Sequence, residues 1–255
     1  MSDNRSIGIF DSGLGGLTVV KEILKILPNE DVIYLGDTAR VPYGTRSGET
    51  IIQFSLEDAA FLLKRKVKCI VIACNTSSAY ASKTLKNKLE IPVFDVISPA
   101  LKEAKKISKG KIGVIGTRGT INSKSYKVDY SVGCPLLVPF IEEGDINSKA
   151  LKLVLQSYIK PFKGKISTLI LGCTHYPIIE KMIQKEIGIS VKLVNPEKTV
   201  VGELSDFLSK NNMLNNKNTK GKKEFYVTDL TDRFTKVAEM FLGEKIKGNL
   251  VKITL

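Results

Sequence analysis

The chain has 255 residues, 43% of them hydrophobic and 25% charged, and a formal net charge of +13. That length can bury a substantial core, while every apolar run breaks well short of the ~18 residues of a membrane helix, so a globular protein without a membrane partner is expected. The opening stretch MSDNRSIGIF carries polar and acidic residues where a secretory signal carries a basic and then an apolar segment, which predicts a cytoplasmic location. In chain order, short β-branched runs predict strands at 6–10, 31–35, 68–73, 111–115, 136–138 and 168–171, with amphipathic helices such as 17–27 and 50–64 between them. That alternation predicts an α/β fold of mostly parallel sheets covered by helices. The Asn- and Lys-rich stretch 209–223 reads as an exposed loop, and the following EFYVTDL and a helix over 232–242 are expected to pack on the first part of the chain.

The positive charge is local. Residues 1–100 hold 12 Lys/Arg against 11 Asp/Glu, and the excess gathers in the polar stretches 102–127 and 210–223, neither interleaved with aromatic rings. Solvated lysine faces account for this better than a nucleic-acid platform, so a nucleic-acid partner is not expected. The four cysteines, at 69, 74, 134 and 173, form no Cys-x-x-Cys pair, and with the single histidine His175 they make neither a disulfide framework nor a zinc site.

An internal echo organises the chain. IGIFDSGLGG at 7–16 returns as IGVIGTRGT at 112–120, and VIACNT at 71–76 returns as LILGCTH at 169–175. Phe10 precedes Cys74 by 64 residues and Ile115 precedes Cys173 by 58, which predicts two related, pseudo-symmetric lobes. The expected boundaries place 1–97 plus 198–255 in the first lobe and 98–197 in the second. In open α/β sheets ligands bind beyond the carboxyl ends of the strands, where all four echoed loops begin, so the two lobes should enclose one site.

Cys74 and Cys173 each end an apolar strand and precede a residue able to cap a helix, a setting that stabilises a thiolate and predicts a lowered pKa. Cys69 and Cys134 lack that context and read as small core residues. Two matched thiols in facing lobes suit inversion of a carbon centre: one group removes a proton from one face and the other delivers a proton to the opposite face. The loop Asp11–Gly16 offers backbone N–H groups to an anion or makes a tight turn, or both, and Thr18 breaks the dinucleotide-binding pattern. The loops 41–44 and 116–120 offer further hydroxyls and N–H groups, or ordinary turns.

FDSGLGG, VPYG, ACNT, GT-x-GT, VPFIEEG and GCTHYP, in this order, resemble the glutamate racemases of the aspartate/glutamate racemase superfamily. The resemblance implies interconversion of L- and D-glutamate without a cofactor or metal, supplying D-glutamate for bacterial peptidoglycan. It implies that Cys74 takes the α-proton from D-glutamate and Cys173 from L-glutamate, assisted by Asp11, Glu142 (with Glu143 adjacent) and His175. Ser12, Tyr43, Gly44, Asn75, Thr76, Thr117, Thr120 and Thr174 match substrate-contacting positions, as do Asp11 and His175. His175-Tyr176-Pro177 favours glutamate over aspartate as substrate. VTD at 227–229 departs from the family's threonine-glycine-aspartate, activation by a cell-wall precursor is not expected, and a homo-oligomer is compatible with the sequence.

Overall fold

The computed structural model describes residues 2–231, 234–246 and 249–255. The first sheet takes strands β1 (Ile7–Asp11), β2 (Val32–Gly36), β3 (Cys69–Ile72) and β4 (Val93–Asp95) from the start of the chain. The second takes β5 (Ile112–Gly116), β6 (Tyr130–Gly133), β7 (Thr168–Gly172) and β8 (Lys192–Val194), and β9 (Lys223–Val227) and β10 (Asn249–Lys252) return to the first. Every pairing is parallel, in the orders β10-β9-β2-β1-β3-β4 and β6-β5-β7-β8. Setting β9 and β10 aside, each sheet runs second, first, third, fourth strand, so the internal echo is also a repeat of topology.

The strands β1, β2, β3, β5 and β7 are buried along their whole length, which is why they read as continuous apolar runs rather than alternating ones. Helices α1 (Leu17–Ile26), α2 (Gly48–Lys64), α3 (Asn75–Lys88) and α4 (Ile97–Ile107) precede β5. They are followed by α5 (Arg118–Asn122), α6 (Leu137–Glu142), α7 (Lys149–Ile159), α8 (Glu180–Ile187), α9 (Pro196–Lys210) and α10 (Phe234–Leu242). Side-chain caps set several of their starts: the Ser47, Thr117 and Ser148 hydroxyls accept from the N–H groups of Thr50, Thr120 and Leu151. One apolar core runs from the α1 face of the first sheet into the second lobe, and a smaller one, containing Phe10, Leu35, Leu62 and Ile72, lies under α2 and α3. Helix α9 packs against both α1 and α4, and α10 packs against α1.

The sequence-based strand at 136–138 is not formed. Leu137 opens α6 instead, and Leu137 and Ile141, one helical turn apart, are its buried residues. The strand of this region is β6, which begins six residues earlier and is only half-buried, so its apolar signal is weak. Of the helix expected over 232–242, residues 232 and 233 lie outside the described residues and the remainder is α10. β9, which takes in the EFYV of EFYVTDL, pairs with β2 in the first sheet. The loop between α9 and β9 is held by a buried ion pair: Lys68 Nζ donates to Glu30 Oε2 at 2.5 Å and to the Met213 carbonyl at 2.8 Å, and Asn215 N–H donates to Glu30 Oε1 at 2.7 Å.

Candidate active site

The parallel registers align the strand ends. Asp11 pairs with Gly36 and Phe10 with Ile72 in one sheet, and Gly116 pairs with Gly172 in the other. The residues that follow, Ser12, Cys74, Thr117 and Cys173, therefore leave the carboxyl edges of the two sheets and line a single cavity of about 380 Å³. Tyr43, Gly44, Asn75, Thr76, Glu142, Thr174 and His175 line it too. Asp11 and Thr120, 1% and 0% exposed, stand behind the wall rather than in it. Close loop contacts hold the lobes together there: a Cβ added to Gly15 would lie 2.2 Å from Thr174 Oγ1 and 2.5 Å from His175 Nδ1, and one on Gly44 would lie 2.8 Å from Thr117 Cβ. Glycine is required at these two positions by space, not by dihedral freedom.

Cys74 is the N-cap of α3. Its Sγ accepts from the Ser77 N–H at 3.4 Å and its thiol donates to Ser12 Oγ at 3.5 Å. Burial, reinforced by the nearby Asp11 carboxyl, pushes this thiol up to about 11 despite the hydrogen bonds with Ser12 and Ser77. The helix end alone predicted the opposite direction. Its partial charge of roughly half a unit is outweighed by the loss of water around the sulfur. Asp11 Oδ2 accepts from the Gly13 N–H at 3.0 Å, and burial raises this carboxyl as well, against the pull of His175.

Cys173 is placed differently, before a 3₁₀ turn at Tyr176–Ile179 rather than at an α-helix start. Its Sγ lies 3.7 Å from His175 Nδ1, and His175 Nε2 lies 2.9 Å from Glu142 Oε1. Burial disfavours an imidazolium here, but the hydrogen bonds to Cys173 and Glu142 outweigh it and raise His175 to about 10. The second thiol thus faces a protonated imidazole held from behind by a carboxylate. Of the two adjacent acids, Glu142 is the one bonded to His175.

Hydroxyls join the lobes across the cavity. Thr76 Oγ1 lies 2.9 Å from Thr117 Oγ1 and 3.2 Å from Thr120 Oγ1, and the latter two are 3.0 Å apart. Tyr43 corrects the expectation of a hydroxyl contact. Its ring is 1% exposed, and its O–H is engaged with the Asp37 carboxylate and lies 3.1 Å from Asp58 Oδ2, so only its backbone and ring edge can reach a ligand. Thr228 donates to Asp37 Oδ1 at 2.8 Å and Asp229 pairs with Lys252, so neither residue of the divergent VTD segment lines the cavity.

Two neighbours of the site carry no sequence motif. The Phe241 ring, from α10, meets His175 edge-on with centroids 5.0 Å apart. Tyr126, between α5 and β6, donates its O–H to Asn75 Oδ1 at 2.7 Å. Only their aromatic character in amphipathic or loop segments could have drawn attention to them, and that signal is common to ordinary core residues. Among the described residues no three His, Cys, Asp or Glu side chains converge in a metal-holding group, and no helix is long and apolar enough to cross a membrane.

A sequence model of the Asp/Glu/hydantoin racemase family matches residues 7–203. The glutamate racemase of Aquifex aeolicus is 46% identical over 96% of this chain and 96% of its own, and that of Geobacter metallireducens is 42% identical over 98% and 97%. The crystal structure of glutamate racemase from Francisella tularensis in complex with D-glutamate superposes with a TM-score of 0.92 at 42% identity, covering 99% of this chain and 98% of that one. With matches of this extent across both cysteine-bearing loops, the chain belongs to the Asp/Glu/hydantoin racemase family.

Proposed function

We propose that this protein is a glutamate racemase that moves protons with two cysteines, and that it supplies D-glutamate for peptidoglycan synthesis. The observation that carries the reading is the delivery of Cys74 and Cys173, by topologically equivalent strands of two lobes, to the wall of one cavity. The substrate assignment draws on the relatives named glutamate racemase at 42–46% identity over nearly the whole chain. The lobes are taken as 1–97 plus 198–255 and 98–197. Strand membership supports this division, since β1 to β4 with β9 and β10 form one sheet and β5 to β8 form the other.

The two thiols differ in surroundings, and the difference suits the direction from L to D. Cys173, beside the His175–Glu142 pair, acts as a thiolate whose charge the imidazolium offsets, and it takes the α-proton of L-glutamate to become the thiol. Cys74, held as a thiol by burial, gives its proton to the opposite face, and the α-carbon inverts. In the reverse direction the roles exchange, with Asp11 behind Cys74 and Ser12 beside it. Asn75, Thr76, Thr117 and Thr174, with the backbone at Ser12, Tyr43 and Gly44, supply donors for the two carboxylates, and Thr120 backs the Thr76 and Thr117 hydroxyls from behind the wall.

Circular dichroism of L-glutamate and L-aspartate incubated with the purified protein tests the substrate, and loss of signal from glutamate alone is the expected result. In deuterated water, D-glutamate formed from L-glutamate should carry deuterium at the α-carbon from the first turnover, because the delivering thiol has exchanged with solvent. Product that keeps its original α-hydrogen would rule out two bases.

A further inference from the structure

We propose that Tyr126 is a positioning residue that fixes the amide of Asn75, so that its Nδ2 rather than its oxygen is offered to a substrate carboxylate. This deepens the glutamate reading and rests on it. An asparagine amide has a donor end and an acceptor end of nearly the same shape, and only the donor end attracts an anion. Left to itself, a site built on asparagine presents either. Here Tyr126, 6% exposed and from the opposite lobe, donates its O–H to Asn75 Oδ1 at 2.7 Å and consumes the acceptor. Among the described residues Nδ2 then has no partner, although it is buried and Asn75 lines the cavity beside Cys74. A buried donor without a partner is costly, and such atoms are retained where something else completes them.

The phenol is well suited to the task. Its ring lies against the end of β7, where a Cβ on Gly172 would come 3.3 Å from Tyr126 Cε2, so the hydroxyl cannot swing freely. Burial pushes its ionisation well above the ordinary phenol range, which keeps the proton available for donation. Reversing the amide would turn Nδ2 towards the phenol oxygen, strand the hydroxyl proton and leave Oδ1 as the free end, which repels a carboxylate. Because Tyr126 lies between α5 and β6 and Asn75 opens α3 at the end of β3, the donor orientation is set by a contact between the two sheets' loops.

The test measures glutamate binding separately from turnover. Bound glutamate should slow alkylation of the site thiols, and the half-protecting concentration of D-glutamate is read for the unaltered chain, Tyr126→Phe, Asn75→Ala and the double variant, alongside KM and kcat. With Tyr126→Phe the half-protecting concentration and KM should rise ~10-fold while kcat stays within ~3-fold, the pattern of lost uniform binding. In the Asn75→Ala background the same change should have no further effect, because Tyr126 acts only through that amide. An unchanged KM, or an equal penalty in both backgrounds, would overturn the proposal. Asn75→Asp supplies a check that does not alter the phenol. It should protect less well than Asn75→Ala if the donor end faces the anion, and protection as good as that of the unaltered chain would overturn the assignment. If the unaltered chain shows neither racemisation nor protection, the glutamate reading fails and takes this proposal with it, a result distinct from the others.

Discussion

Glu142→Gln isolates the group that holds His175 charged. In the folded protein His175 stands at about 10, against 6.5 for a free imidazole, and burial works against that rise. A displacement of about 3.5 pH units corresponds to about 5 kcal/mol favouring the imidazolium, an order-of-magnitude figure shared between Cys173 and Glu142. The Glu142 side chain is 35% exposed, so solvent screens its share, and about 1.5–3 kcal/mol is a fair value for one charge-assisted hydrogen bond. Glutamine keeps the shape and loses the charge, so His175 should fall by about 1–2 pH units.

The assay is direct because His175 is the only histidine in the chain, and a ¹⁵N-imidazole titration reports on it alone. Stability follows with a definite sign. A group raised from 6.5 to about 10 on folding contributes fully below 6.5, and the contribution is lost as pH rises through 10. Glu142→Gln should therefore be less stable than the unaltered protein at neutral pH, and the two should converge towards pH 10. A titration near 6.5 in the unaltered protein, or one that Glu142→Gln leaves in place, would refute the reasoning.

Cys74→Ala and Cys173→Ala should each lower kcat by at least ~10²-fold, the smaller end for a positioned acid or base, whereas Cys69→Ala and Cys134→Ala should keep most of the activity; initial rates by circular dichroism decide this, and equal losses at all four positions would contradict it. Gly15→Ala drives a methyl group into Thr174 and His175, so kcat should fall ~10-fold or more with a stability loss of about 1–3 kcal/mol, read from racemisation and urea unfolding. Glu197, 6% exposed on the first turn of α9, is raised by burial to about 8 from 4.5, and its stabilising contribution is complete below 4.5 and lost as pH rises through 8. Glu197→Gln removes that loss and should be more stable than the unaltered protein by about 2–3 kcal/mol at pH 7, with no difference at pH 4.

The parts of the fold legible in sequence were those with a strong local signal. β1, β3, β5 and β7 are continuous β-branched runs because helices cover both faces of the sheets, and the loops after them carry glycine, threonine and cysteine in repeated order. β4 and β8, of three residues each, are too short to show a period, and Leu136–Val138 misled because three apolar residues fit a strand and a helical turn equally well. The motif loops contribute most of the polar residues of the cavity, although Asp11 and Thr120 stand behind its wall, and the state of its groups is not written in the motifs. The direction of the Cys74 shift depends on burial, and the orientation of the Tyr43 hydroxyl depends on Asp37 and Asp58, neither of which a motif records. Tyr126 meets Asn75 across 51 residues of chain, a distance over which no periodicity speaks.

The return of β9 and β10 to the first sheet has a consequence for the protein as it is made. Everything that lines the cavity lies between Ser12 and His175, and that portion leaves the ribosome before β9 exists. Until β9 arrives, β2 is an edge strand, five buried residues with their hydrogen-bonding groups on one side unmatched, and an open template for another chain. His175 meanwhile lacks the ring of Phe241 against its face. A nascent or truncated chain ending near residue 210 therefore carries every thiol and hydroxyl of the site while remaining sticky and incompletely assembled.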